Sequence, residues 1–281
     1  MIKEISRNAK PILKWAGGKQ QLISQYYPYF PEKIQRYFEP FLGGGAVYFF
    51  LWNTKRISKN AYLSDLNEEL INVYDVVKND VNNLILLLNE HKDKHNRDYF
   101  YNIRNLDRDG HIFSKTERAA RTIYLNKTCY NGLFRVNSQG QFNVPLGSYK
   151  NPTIVNPADI RVTSKALHDV NLSVQDFSQV QNFGEKGDFC YFDPPYDPLS
   201  KTANFTSYTA DSFQKKDQIK LANVFSELTE KGCLCMLSNS DTPLIREIYN
   251  KYKIISVKAK RAINSDSTKR NEIGELLIIN Y

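Results

Sequence analysis

The stretch CYFDPPYDP, from Cys190 to Pro198, puts a carboxylate and an aromatic ring directly after an apolar run that predicts a buried strand. Its two consecutive prolines fix two φ angles and remove two backbone donors, so the turn is stiff. Asp193, the carbonyl of Pro194 and the ring of Tyr196 are therefore held in a set arrangement. An ordinary loop after a buried strand would look the same, and this tetrapeptide alone leaves both interpretations open.

Two glycine-containing turns have the flexible backbone that lets a ligand approach closely. In YFEPFLGGGAVYFF, a predicted strand runs into Gly43 to Gly45 and then into a helix, at the strand end where open α/β sheets bind ligands. In LKWAGGKQ, Trp15 and Lys19 combine a flat ring with a cation. Neither stretch matches GxGxxG or GxxxxGK[ST], which disfavours a dinucleotide or a nucleoside triphosphate. A structural turn and a surface turn beside a core tryptophan are the alternatives.

Two carboxylates follow predicted strands. Asp65 comes about 20 residues after the glycine turn, where an acidic residue accepts both ribose hydroxyls of a nucleoside cofactor. It has an equally plausible role as the N-cap of a helix that begins near Glu68. Asp176 and Phe177 end the third predicted strand and would offer a carboxylate and an apolar wall to an adenine ring. An ordinary strand end is the alternative there.

The composition bounds the class of protein. The 281 residues carry 38 Lys and Arg against 30 Asp and Glu, and this net charge of +8 permits a polyanion partner without requiring one. No apolar stretch approaches the roughly 18 residues of a membrane span, and the first residues lack the apolar core of a secretory signal. The four cysteines form no CxxC pair, so we expect buried thiols in a reducing cytoplasm, without a metal site or a disulfide.

Short β-rich runs alternate with helical patterns, which is typical of a doubly wound α/β sheet. The last two runs leave no room for a helix and should pair as an antiparallel hairpin, which completes a seven-stranded, mostly parallel sheet of the kind many methyltransferases have. The strands are predicted at 37–41, 61–64, 171–174, 189–192, 233–238, 252–258 and 276–280. A helix before the fifth strand should end at Gly232 and bury Ile219, Ala222, Val224, Phe225 and Leu228.

Residues 67–165 interrupt this alternation. They contain several helical stretches and then NGLFRVNSQGQFNVPLG, two strand-like halves around a Ser138-Gln139-Gly140 turn. We therefore predict a main domain of residues 1–66 and 166–281 and an inserted lobe of residues 67–165 that carries a β-hairpin.

The chain as a whole resembles the Dam-type DNA adenine-N6 methyltransferases. The resemblance rests on seven ordered blocks from Leu13 to Ile279: LKWAGGK, FEPFLGGGAV, LSDLNEELI, YNGLFRVNSQGQFNVPLGSY, YFDPPYDP, LSNSDT and the pair KRAINSD and KRNEIGELLI. It implies an enzyme that transfers a methyl group from S-adenosylmethionine to adenine N6 in duplex DNA, with GATC as the target. It also implies a prokaryotic or phage source and a possible restriction endonuclease that acts on the same site.

The resemblance gives the opening turn a chemical role. Adenine N6 is a poor nucleophile because its lone pair is delocalised into the ring. Asp193 and the carbonyl of Pro194 would accept hydrogen bonds from its two N–H groups, which frees the lone pair for in-line attack. Pro195 would keep the turn rigid, and Tyr196 would stack on a base that has left the duplex.

The resemblance also carries over two sets of binding residues. The set for the cofactor is Trp15, Lys19, Glu39, Gly43, Gly45, Asp65 and Asp193. Asp176 and Phe177, at a position where related sequences vary, would contact the adenine ring of the cofactor. The set for DNA has three parts. Lys14 would read the first guanine, and Lys260 and Arg261 lie in a basic segment that would bind phosphates. The residues of the hairpin block that would contact bases or insert into the stack are Tyr130, Asn131, Leu133, Arg135 and Pro145. A plain surface hairpin and a solvated basic face are the alternatives.

Other functions remain to be weighed. A methyltransferase for RNA or protein amide nitrogen would share the turn, but the hairpin block argues against both. A non-catalytic DNA-binding subunit would keep the fold, but the intact Asp193-Pro194-Pro195-Tyr196 turn argues against it. A zinc deaminase would need H-x-E and P-C-x-x-C, which the sequence lacks.

Overall fold

The computed structural model describes residues 7–198, 213–259 and 273–281, and the chain folds as two compact units. Unit 1 contains the predicted insertion, 67–165, together with flanking segments, and the predicted domain boundaries themselves stay a prediction. Unit 1 comprises Met1–Gly18, Gly43–Thr54 and Asn67–Val174, and unit 2 comprises Lys19–Leu42, Lys55–Leu66 and Gln175–Tyr281.

Within the described residues, seven strands form one mixed sheet in the order β3-β2-β1-β4-β5-β7-β6. Strand β1 pairs in parallel with β2 and β4, and β4 pairs in parallel with β5. Strand β7 is antiparallel to both β5 and β6, which confirms the predicted terminal hairpin. The strands are β1 (Ile34–Glu39), β2 (Ile57–Asp65), β3 (Val170–Val174), β4 (Phe189–Phe192), β5 (Leu234–Ser240), β6 (Lys253–Ala259) and β7 (Ile273–Ile279).

The core of unit 2 explains why β4 shows no alternation of polar and apolar residues. All four residues of β4 are buried, as expected for a central parallel strand that is covered on both faces. Helix α8 (Lys215–Glu230) packs Leu221, Phe225 and Leu228 into this core and ends before Gly232, whose φ is +81°. The predicted buried face of α8 was partly wrong, because Ile219 is 42% exposed. The polar Gln218 lies on the buried face instead.

Helices make up most of unit 1. Helix α6 begins at a capping box in which Ser114 and Glu117 satisfy each other's backbone N–H groups, and its buried face packs against α3 and α4. None of the helices in the described ranges is long and apolar enough to cross a membrane. The helices of unit 1 are α2 (Ala46–Asn53), α3 (Glu68–Asn79), α4 (Val81–Asp93), α5 (Arg97–Asn105), α6 (Lys115–Thr128) and α7 (Pro157–Leu167), and unit 2 also has α1 (Ile23–Tyr26) and α9 (Pro243–Ile248).

The predicted hairpin is present in unit 1 but its ladder is sparse. The two halves pair through isolated antiparallel bridges, Cys129 with Leu146 and Val136 with Phe142. The turn closes with a hydrogen bond from the Gly140 N–H to the Asn137 carbonyl, 3.0 Å long. Residues 129–146 therefore contain no regular strand.

The four cysteines, Cys129, Cys190, Cys233 and Cys235, are buried free thiols, as predicted. Burial raises the pKa of Cys129 to about 11. A hydrogen bond with the Cys233 thiol lowers the pKa of Cys190, but the Cys235 thiol and burial outweigh it and raise this pKa well above its ordinary value. The four buried thiols therefore pack as small apolar side chains.

Candidate active site

The carboxylate of Asp193 lies at the carboxyl end of β4 and is held from two sides. The ammonium of Lys19 is 2.7 Å from Oδ1, and the hydroxyl of Ser238 donates to the same oxygen at 2.9 Å. The Tyr191 hydroxyl lies 3.0 Å from the Ser238 hydroxyl and completes a short chain of buried polar groups. Because both contacts are made to Oδ1, they fix the orientation of the carboxylate and leave Oδ2 at its other edge.

Two buried carboxamides hold the rest of the turn. Gln218 on α8 donates to the carbonyl of Pro195 at 3.0 Å, and Asn239 on β5 donates to the Gln218 side chain at 3.0 Å. The side-chain oxygen of Asn239 also accepts from the Asp197 N–H at 3.1 Å. Buried polar groups that satisfy one another in this way specify a single backbone position for the turn.

The ring of Tyr196 lies beside this carboxylate and is fixed at its hydroxyl end. The hydroxyl donates to Oε2 of Glu275 on β7 at 2.7 Å, and the Lys19 ammonium lies 4.7 Å from the ring centroid. Burial, followed by the nearby carboxylate of Asp193, raises the pKa of Tyr196 well above its ordinary value. The phenol therefore stays protonated and acts as a donor.

The carboxyl ends of β1 and β2 carry two further acidic residues of unit 2. Glu39 is 2% exposed and accepts from the Tyr37 hydroxyl at 2.9 Å. Asp65 ends β2, and its carbonyl accepts from the N–H of Gln175 at 3.3 Å. The alternative role of Asp65 as a helix cap is wrong, because the N-cap of α3 is Asn67.

Asp176 and Phe177 follow β3 in sequence and begin a short 3₁₀ turn. Phe177 is buried and stacks on Phe41 with ring centroids 5.2 Å apart. Asp176 accepts from the Ser178 N–H at 3.0 Å and from the Lys220 ammonium at 2.8 Å. Although burial raises it, the hydrogen bonds from Lys220 and Ser178 leave the pKa of Asp176 below its ordinary value.

In unit 1, the glycine turn forms a close contact with Trp15. Gly43 has a φ of +47°, and a Cβ there would lie 3.1 Å from Cδ1 of the indole. The Trp15 ring also stacks on Phe134, with ring centroids 5.4 Å apart. Gly45, with a φ of +69°, is the N-cap of α2. The turn therefore needs glycine both for its backbone and for the space that the indole occupies.

Lys14 is joined to the hairpin of unit 1. The buried side chain of Asn126 bonds to both backbone groups of Lys14, at 2.8 and 2.9 Å, and to the carbonyl of Gly132 at 2.8 Å. A Cβ at Gly132 would lie 2.4 Å from Cδ of Lys14, so the lysine stem lies directly on this glycine. Its ammonium donates to the Tyr149 hydroxyl at 3.2 Å and lies 4.4 Å from that ring.

The hairpin carries the other predicted DNA-reading residues, including the half-buried Leu133. Tyr130, Asn131 and Pro145 are exposed, and the Tyr130 N–H donates to the Pro145 carbonyl at 2.9 Å. Asn131 has a φ of +55°, an uncommon conformation for a residue other than glycine. The Arg135 guanidinium donates through Nε to the Asn143 side chain at 2.6 Å, which orients its planar fork.

A family profile for the D12 class N6 adenine-specific DNA methyltransferases matches residues 15–263. The chain belongs to this family. It is 43% identical to the Type II methyltransferase M1.LlaDCHI of Lactococcus lactis subsp. cremoris, over 100% of this chain and 99% of the relative. It is also 43% identical to the Type II methyltransferase M.MjaIII of Methanocaldococcus jannaschii, over 97% and 99% of the two chains. The DNA adenine methylase of Escherichia coli strain K12 is 33% identical, over 96% and 95%.

For this D12-class adenine methyltransferase, sequence reasoning missed the residues that hold the turn. Ser238, Asn239 and Glu275 lie in two of the motif blocks that carry the resemblance, yet no role was predicted for them. Gln218 gave a usable signal, because a polar residue on the apolar stripe of a helix must find a buried partner. Asn126 and Tyr149, which hold Lys14, were missed as well, and nothing in their local sequence points to that contact.

The last two predictions for the D12-class site concern its basic segment and a metal ion. Lys260 and Arg261 lie outside the described residues. Within the described ranges, no group of three or more His, Cys, Asp or Glu side chains is arranged to hold a metal ion.

A cavity of about 120 Å³ in unit 1 is lined by Lys127, Lys10 and Asp159 together with apolar side chains. Burial, and then the charges of Lys14 and Lys10, lower the pKa of Lys127 to about 8. Asp159 only partly offsets this, because it already pairs with Lys10 at 2.7 Å and with Arg7 at 3.2 Å. Lys127 is thus a partly dehydrated cation beside two others.

Replacing Lys127 by Met should stabilise the protein. The ordinary lysine pKa is 10.5, so between about pH 8 and 10.5 the unfolded chain binds more protons than the folded one. The free energy of unfolding of the wild type should therefore rise with pH over that range. Lys127→Met removes the buried charge and should raise this free energy at about pH 7 by roughly 1–3 kcal/mol. Urea unfolding near neutral pH and near pH 10 tests this, since the gain should shrink at the higher pH. A gain of the same size at both values would contradict the assignment.

Proposed function

We propose that this DNA adenine methyltransferase uses S-adenosylmethionine to methylate N6 of adenine in GATC, after the target base has left the duplex. The observation that supports this most strongly is the anchored carboxylate of Asp193 beside the fixed ring of Tyr196. When bound, S-adenosylmethionine supplies an electrophilic methyl group on a sulfonium. The alternative substrates, RNA and protein amide nitrogen, lack support from the family.

The chemical step requires an acceptor and a platform. Asp193 and the carbonyl of Pro194 accept hydrogen bonds from the two N–H groups of adenine N6, which concentrates the lone pair on nitrogen. Tyr196 stacks on the extruded base and keeps N6 in the plane of these acceptors. The stiff Pro194-Pro195 pair and the carboxamides behind it keep the acceptors and the ring in register, so little reorganisation is needed during transfer.

Cofactor binding is proposed for a set of charged and aromatic side chains and for two glycines. Asp65 ends β2, where a carboxylate suits the ribose hydroxyls, while Lys19 and Glu39 add a buried cation and a buried carboxylate in unit 2. Phe177 and Asp176 are proposed for the adenine ring, and the packing of Phe177 favours its use as an apolar wall. In unit 1 the proposed residues are Trp15, Gly43 and Gly45.

Target reading is proposed for the hairpin and Lys14. Arg135 would donate two hydrogen bonds to a guanine, and Leu133 and Pro145 offer apolar surface to a thymine methyl group. Tyr130 and Asn131 would contact bases or insert into the stack, and Lys14 would read the first guanine. Lys260 and Arg261 would bind phosphates without reading sequence.

A plasmid protection assay tests the proposed function. Plasmid DNA is incubated with the enzyme and S-adenosylmethionine and then digested with two endonucleases, one that cuts only methylated GATC and one that cuts only unmethylated GATC. We expect sensitivity to the first and resistance to the second. Methylation at other sites would reject GATC, and tritium transfer only to RNA or protein would reject the DNA substrate.

The two relatives named Type II methyltransferases also favour a partner restriction endonuclease with the same target.

Arg135→Ala should relax specificity at one guanine. Loss of the two base contacts should cost about 1–3 kcal/mol on GATC and much less on duplexes altered at the guanine that Arg135 reads. Arg135→Lys is the matched control, because it keeps the charge but loses the planar fork and should show the same relaxation. Lys260→Ala and Arg261→Ala should instead weaken all duplexes about equally and reduce the salt slope by about one. If Arg135→Ala slows every duplex by one factor, Arg135 binds a phosphate or supports folding.

A further inference from the structure

Glu275 is an acidic residue that no part of the proposed mechanism yet uses. It lies on β7, paired across the sheet with Ser240 on β5 and Val257 on β6. Its Oε2 accepts the hydroxyl proton of Tyr196 at 2.7 Å, from a residue 79 positions away in sequence. This contact joins the terminal antiparallel hairpin to the turn after β4.

We propose that Glu275 is a positioning residue for methyl transfer, which fixes the plane of the Tyr196 ring by accepting the hydrogen bond of its hydroxyl. This inference rests on the proposed function, because it concerns the ring on which the target adenine stacks. The base meets the face of the ring, whereas Glu275 acts only at the hydroxyl end.

The contacts of the ring support this role. A phenol ring attached through a single Cβ can swing about two side-chain torsions, and stacking on one face does not stop that motion. Tyr196 is held at both ends, by the backbone of the Pro-Pro turn and by the 2.7 Å bond to Glu275. Lys19 lies 4.7 Å from the ring centroid and 2.7 Å from Asp193, so a swing of the ring would also disturb the cation beside the acceptor.

The choice of a carboxylate is also informative. Burial raises the pKa of Glu275, the Tyr196 hydrogen bond and Lys19 lower it, and Asp193 raises it again. A carboxyl group in this place is therefore costly, and an apolar residue would pack β7 into the core with less penalty. A strong, charge-assisted acceptor for one hydroxyl is what the carboxylate adds.

A double-mutant cycle tests the proposal. The variants are Glu275→Ala, Tyr196→Phe and the pair, and the readout is the single-turnover rate of methyl transfer to a GATC duplex. Tyr196→Phe keeps the ring and removes only the hydroxyl. If Glu275 acts through that hydroxyl, each single change should slow transfer about 10-fold, and the pair should also be about 10-fold slower rather than about 100-fold. Effects that multiply, or single variants at the wild-type rate, would overturn the proposal.

Three further measurements separate positioning from a structural role. Glu275→Gln keeps an acceptor oxygen and should stay within about 3-fold of the wild-type rate. A 2-aminopurine at the target position should be less quenched by stacking in Glu275→Ala than in the wild type, while the affinity for the duplex stays the same. Glu275→Gln as slow as Glu275→Ala, or unchanged fluorescence in Glu275→Ala, would overturn the proposal. Glu247→Ala, which removes an exposed carboxylate of α9, is the matched control and should match the wild type in both.

Two safeguards keep the outcome clear. If Glu275→Ala does not fold, Glu275→Leu fills the space and repeats the cycle. Wild-type methylation of the GATC duplex is measured first, because its absence would refute the proposed target and not the role of Glu275. The cycle is then run on whichever duplex the wild type methylates, and the same coupling is expected there.

Discussion

The Asp193→Ala variant should lose methyl transfer by about 1,000-fold or more while it still binds duplex DNA. In the proposed mechanism the carboxylate is the acceptor that makes adenine N6 nucleophilic, and the proposed phosphate contacts lie elsewhere in the chain. Single-turnover tritium transfer measures the chemistry, and fluorescence anisotropy with a labelled duplex measures the binding. Near-normal turnover by this variant would remove Asp193 from the mechanism.

Two companion variants distinguish a loss of methyl transfer from a loss of folding. Asp193→Ala leaves the buried ammonium of Lys19 without its ion pair, which is strongly destabilising in general. Asp193→Asn keeps an acceptor oxygen for Lys19 and Ser238 but lacks the charge, so it should fold and still transfer at least 100-fold more slowly. Asp197→Ala removes a carboxylate four residues later, while its backbone bonds to Asn239 and Ser240 remain, and should stay near the wild-type rate.

The second large effect is expected at the cofactor. Asp65→Ala should weaken S-adenosylmethionine binding by about 1.5–3 kcal/mol, because hydrogen bonds to a charged group are lost. Isothermal titration calorimetry measures this directly. The structure supplies a sharp control in Asn67, whose side chain accepts from the Leu70 N–H at 3.0 Å as the cap of α3. Asn67→Ala should lower stability by about 1 kcal/mol and leave cofactor affinity unchanged. Equal affinities for the wild type and Asp65→Ala would exclude the ribose contact.

Much of the unit 2 sheet could be predicted because its signals are local. The apolar run before Asp193 and the two prolines after it mark the end of β4 without reference to any other part of the chain. The sequence between the last two predicted strands leaves no room for a helix, which likewise predicts an antiparallel pair. The hairpin turn was predictable from Gly140, whereas the sparse ladder and the packing of Lys14 against Gly132 were not, because no local sequence signal marks them.

The partners of the Pro-Pro turn after β4 could not be predicted, because they come from distant strands and helices. Ser238 is 45 positions from Asp193 in sequence, and Gln218 is 23 positions from Pro195. Their contacts exist only after β5 and α8 have packed beside β4. The prediction that Ile219 is buried was wrong for a similar reason. The spacing of apolar residues gives the period of a helix, but it does not say which of two adjacent rows of side chains faces the core.

The four buried cysteines make this protein unusually convenient to label. The thiolate is the species that reacts with maleimides, and the raised pKa values of Cys129 and Cys190 keep those groups protonated at neutral pH. A cysteine introduced at the exposed hairpin position Gln139 would therefore react far faster than the native ones. A single dye could be attached there without first building a cysteine-free background, and it would report in real time on the DNA contact proposed for the hairpin.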